Sequence, residues 1–284
     1  MIPTVRWGEY DISRLVLGHN PIKGWSHQSE DLDAEMRSWH EELSHRVRTL
    51  ARAVECGINT AQFGGAVMFE AIEAYASDAD SPGTLQWIAT HYGNDGGDLG
   101  KGGAQDFDAE LEQILAVRPG PIGVMHFGEK TDRLYFEGRL DVLEDRRKRL
   151  RDTGLLVGVG THLVEVAQEL ASRDVDVDFF QTSCYTVYSH AGERAVDRSS
   201  EVFNDDDRER VLRFVARVDK PCIVFKILGA NRRCGSDEEI RASFEEVYRR
   251  IKPSDVALVG MWQKHRDQVG FNAALVESIL GVEV

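Results

Sequence analysis

Eight short apolar runs, separated by longer stretches with helical spacing, constrain this chain more than any other feature. The runs are residues 14–18 (RLVLG), 58–63 (INTAQF), 85–91 (LQWIATH), 122–126 (IGVMH), 155–160 (LLVGVG), 177–182 (VDFFQT), 222–226 (CIVFK) and 256–260 (VALVG). Several are almost continuously hydrophobic, as parallel strands covered on both faces are. Apolar residues recur at helical spacing over 35–56, 138–152, 165–172, 205–218, 238–251 and 265–280. Gly57 stops the first of these helices, and Gly154, Pro221 and Pro253 stand where a helix hands over to a strand. This alternation predicts one α/β domain over residues 1–284, a single (β/α)8 TIM barrel. A doubly wound open sheet would want a GxGxxG first turn, and neither GHNPIKG nor GVGTH is one.

Composition narrows the partners. The formal net charge is -14, whereas phosphate contacts need a net basic surface, so no nucleic-acid partner is expected. The run Arg146-Arg147-Lys148-Arg149 sits beside Glu144 and Asp145 and reads as a solvated helix face. No apolar run approaches the roughly 20 residues of a membrane span. The opening MIPTVRWGEYDISR lacks the layout of a signal peptide, so a cytoplasmic protein is expected. Cys56, Cys184, Cys222 and Cys234 form no CxxC pair, which argues against a disulfide framework or zinc knuckle. Oligomeric state is left open.

The chemistry is expected where the strands end, because a barrel of this kind works at the C-terminal mouth. Strand 1 runs into His19 and Asn20, strand 2 ends on Gln62, strand 3 on His91 and strand 4 on His126. Strand 5 runs into His162, strand 6 supplies Gln181, Cys184 and Tyr185, and strand 7 ends on Lys226. Two loops also leave this face: glycine-rich 94–105, and 186–204 with Tyr188, His190 and Arg194.

His91, His126 and His162 come from three consecutive strands, whose neighbours lie about 4.8 Å apart. Three imidazoles in one layer would suit a divalent metal with an open coordination position. Metal-free acid/base work in a polar pocket, or a structural role, stands beside that reading. Lys226 is expected to hold an anion or to act as an amine nucleophile. Glu129 and Asp132 are candidate acid/base carboxylates or simply the start of a helix. Arg232 and Arg233 would clamp an anion or face solvent.

With these strands in place the chain resembles the aldo-keto reductase superfamily over nearly its full length, as a divergent member. GEYDISRLVLGHNPIKG looks like that family's N-terminal plug hairpin leading into strand 1, and ARAVECGINTAQF like its next helix and strand. IATH, VMHF, GVGTHLVEVAQEL, FFQTSCY, CIVFKILG and LVGMWQKHRDQVGFNAALV follow in the family's order. The resemblance implies a plugged barrel and, in its ordinary members, NADP-dependent carbonyl reduction with a Tyr proton donor. Here Gln62 stands at the family's Asp, Gly64, Gly65 and Val67 stand where its Tyr would follow, and His91 stands at its Lys. His126 alone is retained. Gln181 and Asn272 match the family's cofactor positions, Phe225 matches the ring that stacks on nicotinamide, and Lys264-His265-Arg266 resembles the remnant of a phosphate site.

The expected function is therefore histidine-based acid/base chemistry, metal-assisted or not, on a small polar, sugar-like substrate: elimination, hydrolysis or isomerisation. His126 and His91 would carry it, with Lys226 and Gln62. His19, Asn20, Trp25, Gln181, Tyr185 and Arg232 would bind substrate, and Trp262 would supply an apolar face. An atypical NADP-dependent reductase using His126 as proton donor and a non-catalytic ligand-binding barrel are the alternatives, with NADP the less expected cofactor.

Overall fold

Alternating side chains along eight parallel strands divide the interior into two shells, and everything about the site follows from which shell a residue enters. The computed structural model describes residues 1–93, 106–186 and 203–281. The glycine-rich stretch 94–105 and most of the loop after strand 6, with Tyr188, His190 and Arg194, lie outside the described residues. Strands β3 (Leu15–Gly18), β4 (Thr60–Phe63), β5 (Gln86–His91), β6 (Gly123–His126), β7 (Leu156–Thr161), β8 (Phe179–Ser183), β9 (Cys222–Phe225) and β10 (Val256–Gly260) close into a barrel. Closure runs in chain order, with β10 pairing β3 in parallel. The expected barrel is present.

The expected plug is present too. β1 (Thr4–Trp7) and β2 (Tyr10–Ser13) form an antiparallel hairpin. Trp7 stacks on Phe179 at 5.2 Å between centroids. Together with Ile12 the two rings join Val16, Ile88, Met125 and Ile223 in a cluster that fills the barrel's interior. The outer shell holds the opposite parity, including Trp87, Ala89, Val124, Val157 and Phe180, packed beneath the helices.

The helices depart from expectation in two places. The pattern over 35–56 is two helices, α1 (Glu30–His40) and α2 (Leu43–Glu55). At the break His45 stacks on Trp39 at 4.2 Å and its Nδ1–H donates to the Trp39 carbonyl at 2.6 Å. Four helices follow through the first half of the barrel: α3 (Ala66–Ser77), α4 (Phe107–Ala116), α5 (Gly128–Phe136) and α6 (Leu140–Arg151). The basic run on α6 is not one solvated face: Arg146 and Arg147 are buried, while Lys148 and Arg149 are exposed. Helices α7 (Val164–Ser172), α8 (Asp205–Val215), α9 (Asp237–Arg250) and α10 (Gln268–Leu280) complete the ring. No helix among the described residues is long and apolar enough to cross a membrane.

Candidate functional site

A cavity of about 1340 Å³ opens at the C-terminal ends of the strands. Its floor is set by the inward residues of the last turns of strand. Gln62 Nε2 donates to Gln181 Oε1 at 2.6 Å and to Thr90 Oγ1 at 3.2 Å. The buried Gln62 Oε1 has no partner among the described residues, so it is a ready acceptor for a ligand hydroxyl. Both glutamines expected at the mouth are there.

Strand parity corrects the histidines. On β5, Ile88 belongs to the inner cluster and Trp87 and Ala89 to the outer one, so His91 faces out of the barrel. On β6, Met125 faces in and Val124 out, and His126 follows Val124. The two are register partners, fully buried between the sheet and the helices. His91 Nε2–H donates to the Phe107 carbonyl at 2.9 Å. His126 is held between Thr131 Oγ1 at 2.9 Å and the Arg146 guanidinium at 3.3 Å. Burial lowers the His91 pKa to about 4 and takes that of His126 well below its ordinary value, so both are neutral. Neither lines the cavity. The expected convergence of His91, His126 and His162 therefore does not occur, and no group of three His, Cys, Asp or Glu among the described residues is arranged to hold a metal.

Different residues occupy the mouth. His162, which lines the cavity, is half-buried. Its Nδ1 lies 3.0 Å from Asp132 Oδ2, which also accepts the His162 backbone N–H at 3.0 Å. Thr161 donates to the other oxygen of Asp132, so this fully buried carboxylate on α5 is itself held in place while it engages the ring at Nδ1. Phe127 and Phe225 meet the His162 ring edge-on at 6.5 and 5.4 Å.

Across the mouth, beside the expected His19, stands a pair that the strand-end reading missed, Lys23 and Tyr92. Lys23 Nζ donates to the Tyr92 hydroxyl at 2.8 Å and to the Gly64 carbonyl at 2.9 Å. His19 Nε2 lies 3.3 Å from the same hydroxyl, while His19 Nδ1–H is spent on the Gln62 carbonyl at 2.8 Å. Burial, and then the charge of Glu110, raise the Tyr92 pKa, keeping the hydroxyl protonated. The signal was available: the inward parity of Ile88 and Thr90 continues to Tyr92, one residue past the His91 that drew attention.

The rim brings together most of the other expected residues. Asn20, Trp25, Glu129, Lys226, Arg232 and Trp262 line the cavity. Lys226 Nζ lies 3.0 Å from Nε2 of His27, another residue the sequence did not flag. Both have left-handed backbone (φ 57), as have Ala230 and Asn231 beside them, a concentration of strain at the rim. Arg232 lies over Phe203 at 3.7 Å. Tyr185, expected to bind substrate, does not line the cavity: it is buried, with Arg233 donating to its hydroxyl at 2.5 Å. Burial pushes the Cys184 thiol up to about 11, leaving it inert.

Phe225, His265, Arg266 and Asn272, where the family resemblance implies a nicotinamide cofactor, line the cavity. The cations among them, and neighbouring Lys264, are already committed. Lys264 and His265 contact Glu35 at 2.6 and 2.9 Å, and Arg266 makes a two-pronged pair with Asp237 at 2.6 and 3.0 Å. As arranged, these residues do not fit an added phosphate.

No family model matches the sequence, and no curated protein matches it. Solved structures do match the fold. A Pseudomonas aeruginosa protein described as an aldo-keto reductase is 20% identical, with 98% of this chain and 94% of that one covered and a TM-score of 0.60. The glycerol dehydrogenase of Gluconobacter oxydans is 14% identical, covering 97% and 95% at a TM-score of 0.53. A truncated 3-deoxy-D-arabino-heptulosonate 7-phosphate synthase of Thermotoga maritima is 9% identical, covering 98% and 91% at 0.55. The chain thus has the plugged barrel fold of the aldo-keto reductases.

Proposed function

We propose that this barrel is an enzyme that moves protons on a small polar substrate bearing a carbonyl beside hydroxyl groups, an isomerisation or elimination. The observation that carries the reading is the Tyr92 hydroxyl, within hydrogen-bond distance of the Lys23 ammonium and near the His19 imidazole, facing a cavity also lined by His162, which Asp132 backs from behind. Two proton-transfer groups in one mouth are what such chemistry requires. With Nδ1 engaged by Asp132, His162 exchanges its proton at Nε2. It takes a proton from the carbon next to the carbonyl, and Asp132 stabilises the imidazolium that forms. Tyr92 hands its proton to the carbonyl oxygen as charge develops there, and Lys23 offsets the charge left on the phenolate. Gln62 and Gln181 hold the substrate hydroxyls at the floor. Lys226 and Arg232 accept an anionic end where the substrate has one.

The reading is tested by incubating the protein in D₂O with a panel of small hydroxyaldehydes and hydroxyketones and following C–H to C–D exchange by NMR. The expected result is exchange in at least one substrate, slowed at least about tenfold by His162→Gln. Exchange within about threefold of the parent rate in His162→Gln overturns the assignment. Carbonyl reduction with NADPH is the second reading, favoured by Phe225 and Asn272 on the cavity wall and opposed by the paired cations beside them. NADPH consumption without exchange would establish it. A pocket that binds panel members but turns none over would identify a ligand-binding barrel.

A further inference from the structure

A buried polar cluster lies outside the cavity, behind β5, and is not used by the chemistry above. Its centre is Glu110 on α4, which is almost fully buried. The carboxylate accepts two consecutive backbone N–H groups, Tyr92 at 2.7 Å through Oε1 and Gly93 at 3.0 Å through Oε2. Gly93 N–H also reaches His91 Nδ1 at 3.1 Å, which fixes the neutral His91 with its proton on Nε2, donated to the Phe107 carbonyl. Gly93 adopts φ +64, and a Cβ there would meet the Arg146 guanidinium at 3.2 Å and His126 Nε2 at 3.4 Å. The backbone that leaves β5 is therefore held by a buried carboxylate, and Arg146 and His126 leave little room for a side chain at Gly93.

A buried carboxylate is costly to keep unless its hydrogen bonds repay the desolvation. The Tyr92 and Gly93 amides have no backbone partner among the described residues, but a neutral side chain or a turn could close a strand end as well. What the charge adds is direction. Charge-assisted bonds are shorter and stronger than neutral ones, and two of them on adjacent amides fix both the position and the tilt of the peptide that carries the Tyr92 ring. The other side of that ring is set by Phe127, at 5.0 Å edge-on, and by Lys23, 4.7 Å from the ring centroid.

We propose that Glu110 is a positioning residue for Tyr92, acting through the backbone to aim its hydroxyl into the mouth, with His91 as the group that aligns the carboxylate's second amide. The inference rests on the reading of Tyr92 as proton donor and adds a residue outside the cavity to that machinery. It gives the histidine at the end of β5 a role in support of the site, from the far side of the sheet.

The test combines Glu110→Gln with Tyr92→Phe. Glu110→Gln should lower turnover about tenfold in the parent chain with KM within about twofold. It should have almost no further effect in the Tyr92→Phe background, because groups that act through one another are not additive. Glu110→Asp keeps the charge but withdraws it by one methylene and should lose activity similarly. Independently of any assay, the amide resonances of Tyr92 and Gly93 should move upfield together in Glu110→Gln, and both should exchange with solvent at least about tenfold faster. Equal losses from Glu110→Gln in both backgrounds, or unmoved amides, overturn the proposal. Unchanged turnover in Tyr92→Phe overturns instead the proton-donor reading, and the amides then still report whether Glu110 holds this backbone.

Discussion

His162 and His126 leave neighbouring strands yet live in different worlds. His162 stands in the cavity against a buried carboxylate. His126 sits in the outer shell, fully buried, held by a hydroxyl and a guanidinium and neutral. Both are strand-end histidines of the same barrel, and what separates them is parity: His126 lies opposite Val159, and His162 follows three residues later, on the other face. A strand's side chains alternate strictly, so in a barrel a step of one residue moves a group from the reaction mouth to the packing layer. The lesson is that a polar strand end marks a site only after its face has been counted. The outer shell can then hold as many titratable groups as the mouth without taking part in proton transfer.

The largest effect that would break this division comes from Tyr92. Tyr92→Phe removes the hydroxyl and keeps the ring packed against Phe127, so the fold should persist while turnover falls by about 10²- to 10⁴-fold. A loss below about threefold would return the outer histidines to consideration. Next in size is the paired substitution His162→Gln against His126→Gln. The first should cost at least about tenfold in exchange with little change in stability. The second should leave turnover per folded molecule within about threefold but destabilise the chain by about 1–3 kcal/mol, because Arg146 loses a buried partner. The reverse pattern in paired activity and urea-unfolding measurements would place the chemistry behind the sheet. Asp132→Asn is smaller again: the ring of His162 keeps a neutral partner but loses the charge that stabilises its protonated form, and about tenfold in rate should follow.

The barrel was legible because parallel strands covered on both faces must be continuously apolar, and VALVG, CIVF and LLVGVG leave few other readings. The plug was legible only by resemblance, since a hairpin of two four-residue strands is too short to show a periodicity of its own. The site was half legible. Gln62, Gln181 and His162 are where the strand ends put them. Lys23 and His27 could not have been placed from spacing, because they reach the mouth from the segment after β3, whose path is set by contacts across the cavity such as Gln28 to the Ala230 carbonyl and Lys226 to His27. His91 misled for a definite reason: it matches a family position by residue order, while the pairing of His91 with His126 puts both on the outer face.

The smallest of the expected effects is also the one that tests the outer shell without any substrate. Burial lowers the His91 pKa to about 4, whereas the unfolded chain protonates histidine near pH 6.5. Between those values the unfolded state holds a proton that the native state refuses, so acid favours unfolding. His91 thus contributes stability in full above about pH 6.5, and that contribution drains away as the pH falls towards about 4, at up to about 1.4 kcal/mol per pH unit. Urea midpoints for the parent chain and His91→Gln at pH 7, 6 and 5 isolate the term, since every other group titrates alike in both. The parent should lose stability more steeply than the variant, the gap closing by about 0.7 kcal/mol from pH 7 to 6 and about 1.2 kcal/mol from pH 6 to 5. Parallel slopes would mean that His91 accepts a proton in the native state as readily as in the unfolded one. That would put it in contact with solvent, on the mouth side of the strand, and the division between the two shells would fail at the residue on which it most depends.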